Sequence, residues 1–352
     1  MINYFQQRNI LSFVAYITLE RTPVSFGPGV FLLNGDHMIK TKPFKTHNEL
    51  ISLLEERGID FSNPESKSFA KKNLQRIGYY NLINGYSSLF HTTDEDDHYK
   101  KGTTIEEIYN VYNFDQKLRE IFLKNILPFE TNIKSLVAYY FPQSHPETHY
   151  LTYQNFDTTQ KDSDKSIMEL IAEIQRQIAG RVSDPSISHY LKNYGYIPLW
   201  VLNNILTLGT ISKFYSLMKQ QERQQISKTF LLSDKELGNI LMYLSSIRNF
   251  CAHGNRLYCF RSKRPLFDSK IHKSIELPIT ENGEYQYGKR DLFAAAIALR
   301  LTLSKADYRK FIKDIDIAIK NLSGRLNTIT IDVILNNMGF PTNWKELLLK
   351  QL

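Results

Sequence analysis

The residues best suited to chemistry in this chain stand close together, Arg248 and Asn249 followed by His253. Histidine is the side chain able to accept and return a proton near neutral pH. Arginine brings a permanent charge and a planar fork of donors, which suits a phosphate whose negative charge grows in the transition state. Asn249 can orient the imidazole or bind a phosphate oxygen. Together they can promote attack by a ribose 2′-hydroxyl on the adjacent phosphate without a metal or other cofactor. The products of that reaction are a 2′,3′-cyclic phosphate and a 5′-hydroxyl, and DNA, which lacks the nucleophile, is spared. Arginine and histidine at this spacing are common by chance, and a histidine before a helix-ending glycine also serves as a plain cap.

These residues must be positioned by the segment 233–253. Ser233 and Glu236 have the spacing of a capping box, and Gly254 is a natural stop. At about 100° per residue, Leu237, Ile240, Leu241, Leu244, Ile247 and Cys251 share one arc of about 120°, which predicts the core face. Asn249 and His253 fall together on the far side. Arg248 lies at the edge of the apolar arc, about 140° around the helix from His253. Arg248 and His253 therefore do not converge easily on one straight helix. Either the long arginine side chain reaches around as the last turn unwinds at Gly254, or a two-fold homodimer brings the same helix from both subunits to a shared site.

The remaining elements are also helical. Thr46 with Glu49 and Ser62 with Glu65 mark two helix starts, the second with Pro64 in its first turn. Thr104 and Glu107 open a long helix that Pro128 is expected to kink or interrupt. Periodicity predicts further helices over 164–180, 186–193, 198–219, 291–322 and 328–350. Residues 255–290 read as an irregular loop with a short hairpin at most. The expected fold is all-α, in a domain from Met38 to the C-terminus, with residues 1–37 as an extension outside it.

Composition sets the class. The 44 Lys and Arg against 36 Asp and Glu leave a net charge of +8, which suits a polyanionic partner. Two cysteines, Cys251 and Cys259, exclude a disulfide scaffold and suit a reducing, cytoplasmic setting. The apolar stretch 10–19 is too short to span a bilayer and is followed by no small-residue cleavage site, so neither membrane insertion nor export is expected.

RNFCAH at 248–253 resembles the R-N-x-x-x-H motif of HEPN ribonucleases. The chain around it is similar to bacterial abortive-infection proteins of the AbiD/AbiF type. That similarity runs through KPFKTHNELISLLEERGI at 42–59, IGYYNLINGYSSLF at 77–90 and YNFDQKLREIFL at 112–123. It continues through IPLWVLNNILTLGTISKFY at 197–215 and MGFPTNW at 338–344. The resemblance implies a HEPN-type helical bundle with additional N- and C-terminal helices. It also implies a phage-defence or toxin-like endoribonuclease with Arg248, His253 and Asn249 as catalytic residues. RNA is then a partner as well as a substrate, in the form of a structured noncoding RNA. A rival reading keeps the same basic site for RNA binding without cleavage, as a ribonucleoprotein component. A third is a helical interaction module with no RNA at all.

Other constellations carry a bland reading beside the functional one. Arg256, Arg261, Lys263 and Arg264 follow the helix directly and could clamp an RNA backbone, or be solvated loop charge. Asp115 and Arg119 could place Arg119 against RNA, or form a buried pair holding helices together. Tyr79, Tyr80 and Tyr86 could stack on bases, or pack in the core. His145 and His149 hint at a metal, but Pro146 opposes a helical register and no third ligand is evident, so no metal site is assigned.

Overall fold

The computed structural model describes residues 43–93 and 97–350. The expected extension over 1–37 lies outside the described residues. From Lys45 onward the chain forms one compact unit. Its first two helices, α1 (His47–Glu56) and α2 (Pro64–Ile77), pack on each other. The predicted capping box of α1 is present, with Thr46 N–H donating to Glu49 Oε2 at 2.7 Å. The cap of α2 sits one residue later than Ser62. Pro64 has no N–H to be satisfied and takes the first helical position, which makes Asn63 the cap, accepting from Glu65 N–H at 3.0 Å.

The scaffold of the molecule is α3 (Ile105–Ser144), 40 residues long. Thr104 caps it, accepting from Glu107 N–H at 3.2 Å. Pro128 does not end this helix. Leu127 and Pro128 face solvent, where water can satisfy the carbonyl that proline leaves unbonded. Buried Glu107 ties the far end of the chain to α3, accepting from the N–H groups of Asn327 and Thr328, both at 2.8 Å.

Next come α4 (Ser163–Ala179) and α5 (Pro185–Tyr194), close to the predicted bounds. The expected helix over 198–219 is two, α6 (Leu199–Leu202) and α7 (Leu208–Leu217), because Thr207 caps a fresh start by accepting from Thr210 N–H. They lead into α8 (Gln220–Lys228) and α9 (Asp234–Ala252). The irregular stretch that follows holds one short helix, α10 (Lys270–Ser274), and a single antiparallel bridge between Ile279 and Tyr285. The last two expected helices are also divided. Ser304 starts α12 (Lys305–Ser323) afresh after α11 (Leu292–Thr302). Gly339, with φ of 72°, ends α13 (Ile331–Met338) before α14 (Trp344–Leu349).

The fold is all-α, with no strand among the described residues beyond two isolated bridges. The central element is α9, packed against α3, α7, α8 and α11. No helix among the described residues is long and apolar enough to cross a membrane.

Candidate active site at the end of the central helix

Three features of sequence place α9. Ser233 and Glu236 form the capping box that opens it, with Ser233 N–H donating to Glu236 Oε2 at 2.8 Å. Leu237, Ile240, Leu241, Leu244 and Ile247 are all fully buried, and Cys251 nearly so, as the predicted arc requires. Burial is wider than that arc, because α9 is surrounded: Tyr243 is also fully buried, its hydroxyl donating to the Asp291 carbonyl at 2.8 Å. His253 is the C-cap, with φ −90° and ψ 3°, and Gly254 turns the chain away at φ 68°. The helix thus ends where the candidate chemistry begins.

Arg248 is half-buried and faces α3, its Nε 3.5 Å from Glu130 Oε2. Neither atom has an aligned hydrogen bond, so the contact is electrostatic. The other Glu130 oxygen accepts from Lys134 Nζ at 2.8 Å, one turn along α3. One carboxylate is thus shared by two cations, and the trio carries a net positive charge at the edge of the protein. Asn249 and His253 are exposed on the far side, as predicted, and the His253 imidazole makes no hydrogen bond or ion pair to the described residues. The structure therefore places Arg248 and His253 on different faces of α9 within one protomer.

The segment after His253 is pinned by Asp115 of α3, which is fully buried. Asp115 Oδ1 accepts from Tyr258 N–H at 2.7 Å. Its Oδ2 accepts from the Tyr86 hydroxyl at 2.8 Å and from the Arg119 guanidinium. Arg119 also donates to the Asn255 carbonyl at 3.2 Å, and its side chain is only 11 % exposed. Burial pushes the Asp115 carboxyl above its usual range, and the charge of Arg119 opposes that shift. The geometry of Asp115 and Arg119 is that of a buried tether, with Tyr86 as part of it rather than an exposed platform. Of the tyrosines near it in sequence, Tyr80 is well exposed and Tyr79 is half-buried.

The basic residues of the following loop divide. Arg256 donates to the carbonyls of Asn84 and Gly85, at 3.3 and 3.2 Å. Arg261 donates to those of Phe260 and Asn337. Lys263 and Arg264 are exposed, with Arg264 Nη1 3.6 Å from Met242 Sδ on α9. Cys251 is a buried thiol, pushed up to about 12 by burial, so it behaves as a small hydrophobe rather than a nucleophile or ligand. His145 turns inward to Glu222, 2.7 Å away, while His149 is exposed. Among the described residues no group of three or more His, Cys, Asp or Glu side chains is placed to hold a metal ion.

Glu130 and Lys134 gave no sequence signal of their own. They lie on α3 more than a hundred residues before Arg248, and only the packing of α3 on α9 joins them. No curated protein and no solved structure shows significant similarity to the chain. The model of the family described as Abi-like protein matches residues 72–259, a stretch that begins on α2 and contains Asp115, Glu130, Arg248 and His253. That match spans just over half of the 352 residues, and the chain belongs to the Abi-like protein family.

Proposed function

We propose that the chain is a HEPN-type endoribonuclease of the AbiD/AbiF kind, acting in abortive infection through a site built by two copies of α9. Family membership supports the defence role. The observation that carries the nuclease reading is the end of α9. It holds a charged, half-buried guanidinium beside Glu130 and an exposed imidazole five residues on, at a helix terminus fixed by the Asp115 tether.

In the proposed reaction His253 takes the proton from a ribose 2′-hydroxyl as that oxygen attacks the neighbouring phosphorus. Arg248 stabilises the charge that builds on the phosphoryl oxygens. The bond from phosphorus to the 5′-oxygen breaks, and that oxygen leaves with a proton, giving a 2′,3′-cyclic phosphate and a 5′-hydroxyl. Asn249, exposed beside His253, orients the imidazole or holds a phosphate oxygen. Lys263 and Arg264, exposed in the loop after α9, contact the backbone of the strand.

The test is cleavage of a labelled RNA by the full chain and by His253→Ala, with the cut ends identified. Loss of the proton-transfer group lowers the rate by about 10²–10⁴-fold while RNA binding persists. Unchanged cleavage by that variant refutes the assignment. Cleavage absent from the parent but binding present favours the ribonucleoprotein alternative. Mixing inactive Arg248→Ala and His253→Ala subunits should restore part of the activity if the two groups meet across a dimer.

A further inference from the structure

Beyond Lys134, the same face of α3 borders a groove of about 550 Å³, closed on its other side by α6 and the turn that follows it. Two large aromatic side chains stand in it unusually exposed, Tyr139 at 64 % and Trp200 at 57 %. The rest of the lining is mostly polar, with Lys134, Asn203 and Asn204 among it and Ala138 as its aliphatic member. Asn203 is only 4 % exposed and donates its amide to the Lys134 carbonyl at 2.5 Å. That bond fixes which way the amide points, and it leaves Asn203 Oδ1 buried with no donor to satisfy it. A buried acceptor without a partner is costly and rare in a folded protein.

We infer that this groove is a subsite for the bases of single-stranded RNA, leading away from the phosphate at Arg248. The inference rests on the nuclease reading for that phosphate. Lys134 belongs to both places: it lines the groove and shares Glu130 with Arg248, so the positive charge of the trio is continuous with the groove. From Glu130 to Tyr139 the helix rises about 14 Å, the length of roughly four stacked nucleotides at ~3.4 Å each. Trp200 and Tyr139 offer faces on which any base can stack. The net positive charge of the trio at one end of the groove complements the phosphates of such a strand.

The chain has two tryptophans, and Trp344 is buried at 4 %, so Trp200 is the fluorophore that a ligand in the groove can reach. The probe is a 2′-O-methyl oligouridine octamer, which keeps the bases and phosphates of RNA but cannot be cut by attack of a 2′-hydroxyl. Titrated into the full chain, it should quench the exposed tryptophan emission with a midpoint that rises with salt. By anisotropy with the same labelled octamer, Trp200→Ala should bind about 5- to 150-fold more weakly, the effect of losing one stacked base. Trp200→Phe should recover most of that loss, and both variants should melt with the parent. Unchanged emission, with equal octamer affinity in the parent and Trp200→Ala, overturns the subsite. The nuclease reading survives that result if His253→Ala still abolishes cleavage. A shift of Trp200→Ala from dimer to monomer in sedimentation would also overturn it, by assigning the groove to a second copy of the chain.

Discussion

Replacing Asp115 by alanine tests whether the end of α9 is held by charge. The carboxylate serves three donors at once: the Tyr258 N–H, the Tyr86 hydroxyl and the Arg119 guanidinium. Removing one partner of a buried ion pair costs about 3–5 kcal/mol, because the other charge is left without compensation. Arg119 keeps its contact with the Asn255 carbonyl and is 11 % exposed, which lets some water reach it, so a loss of ~4 kcal/mol is the expected centre. At about 2 °C per kcal/mol for a chain of this length, the melting temperature should fall by ~8 °C. The assay is paired thermal and urea unfolding of the parent and Asp115→Ala.

A second variant separates stability from positioning. Asp115→Leu combined with Arg119→Met fills the same space with apolar atoms, and such replacements of buried ion pairs are often neutral. It should recover at least half of the lost stability. The Tyr258 N–H would still lack its acceptor, so the segment that follows His253 would remain loose. On the nuclease reading, cleavage should therefore stay depressed in the double variant although its fold has returned. A single Asp115→Ala change that melts within 2 °C of the parent, on the order of 1 kcal/mol, would refute the reasoning.

Two further perturbations follow from the region around α11. Burial pushes the Asp291 carboxyl up to about 6, from an ordinary 3.8, against the opposing pull of the Ala294 and Gly288 N–H groups. The folded protein thus holds this proton more tightly than the unfolded chain does. The stabilisation is complete below about pH 4 and is lost as the pH rises through 6, for a total of ~3 kcal/mol. Urea midpoints measured from pH 4 to 7 should show that decline in the parent and a flatter profile in Asp291→Asn; parallel profiles would remove the assignment. Gly339 has φ of 72°, and a Cβ there would lie 2.3 Å from Asp291 Cβ. Gly195 has nearly the same backbone, φ 73°, with nothing within 4 Å. Gly195→Ala should therefore cost only the ~1–2 kcal/mol of the left-handed conformation, and Gly339→Ala clearly more. Equal losses in denaturant would deny the clash.

What the sequence made legible was local. The helices α1, α5 and α9 carry their caps and stops within a few residues, so pattern and boundary agree. The errors share one cause, that apolar periodicity can continue across a break. From 291 to 322 the apolar spacing runs on, and only the Ser304 cap, bonded to Asp307 N–H at 3.1 Å, divides α11 from α12. Pro128 does not interrupt α3, because its cost depends on which face of the helix it occupies, and that face is wet. Within the site, RNFCAH gave the candidate side chains and their placement on different faces of α9. It could not name Glu130, Lys134 or Trp200, because their relation to Arg248 exists only once α3, α6 and α9 have packed.

The two principal side chains differ in how they are held, and that difference bears on assembly. Arg248 sits at the α3 interface with a carboxylate 3.5 Å away, so its position is set by the fold of one chain. His253 lies beyond the last helical turn, exposed, with only its backbone fixed by bonds to Asn249 and Cys251 carbonyls. The helix stays regular through Ala252, so it never swings the imidazole back toward Arg248. At ~140° of separation, a phosphate resting against the guanidinium is not within easy reach of the histidine on the same helix. On the nuclease reading, a second α9 related by a two-fold axis would supply the histidine that one copy cannot bring to its own arginine. On the nuclease reading, the dimer is therefore part of the active site itself, and weakening it should abolish cleavage even where every side chain named here is intact.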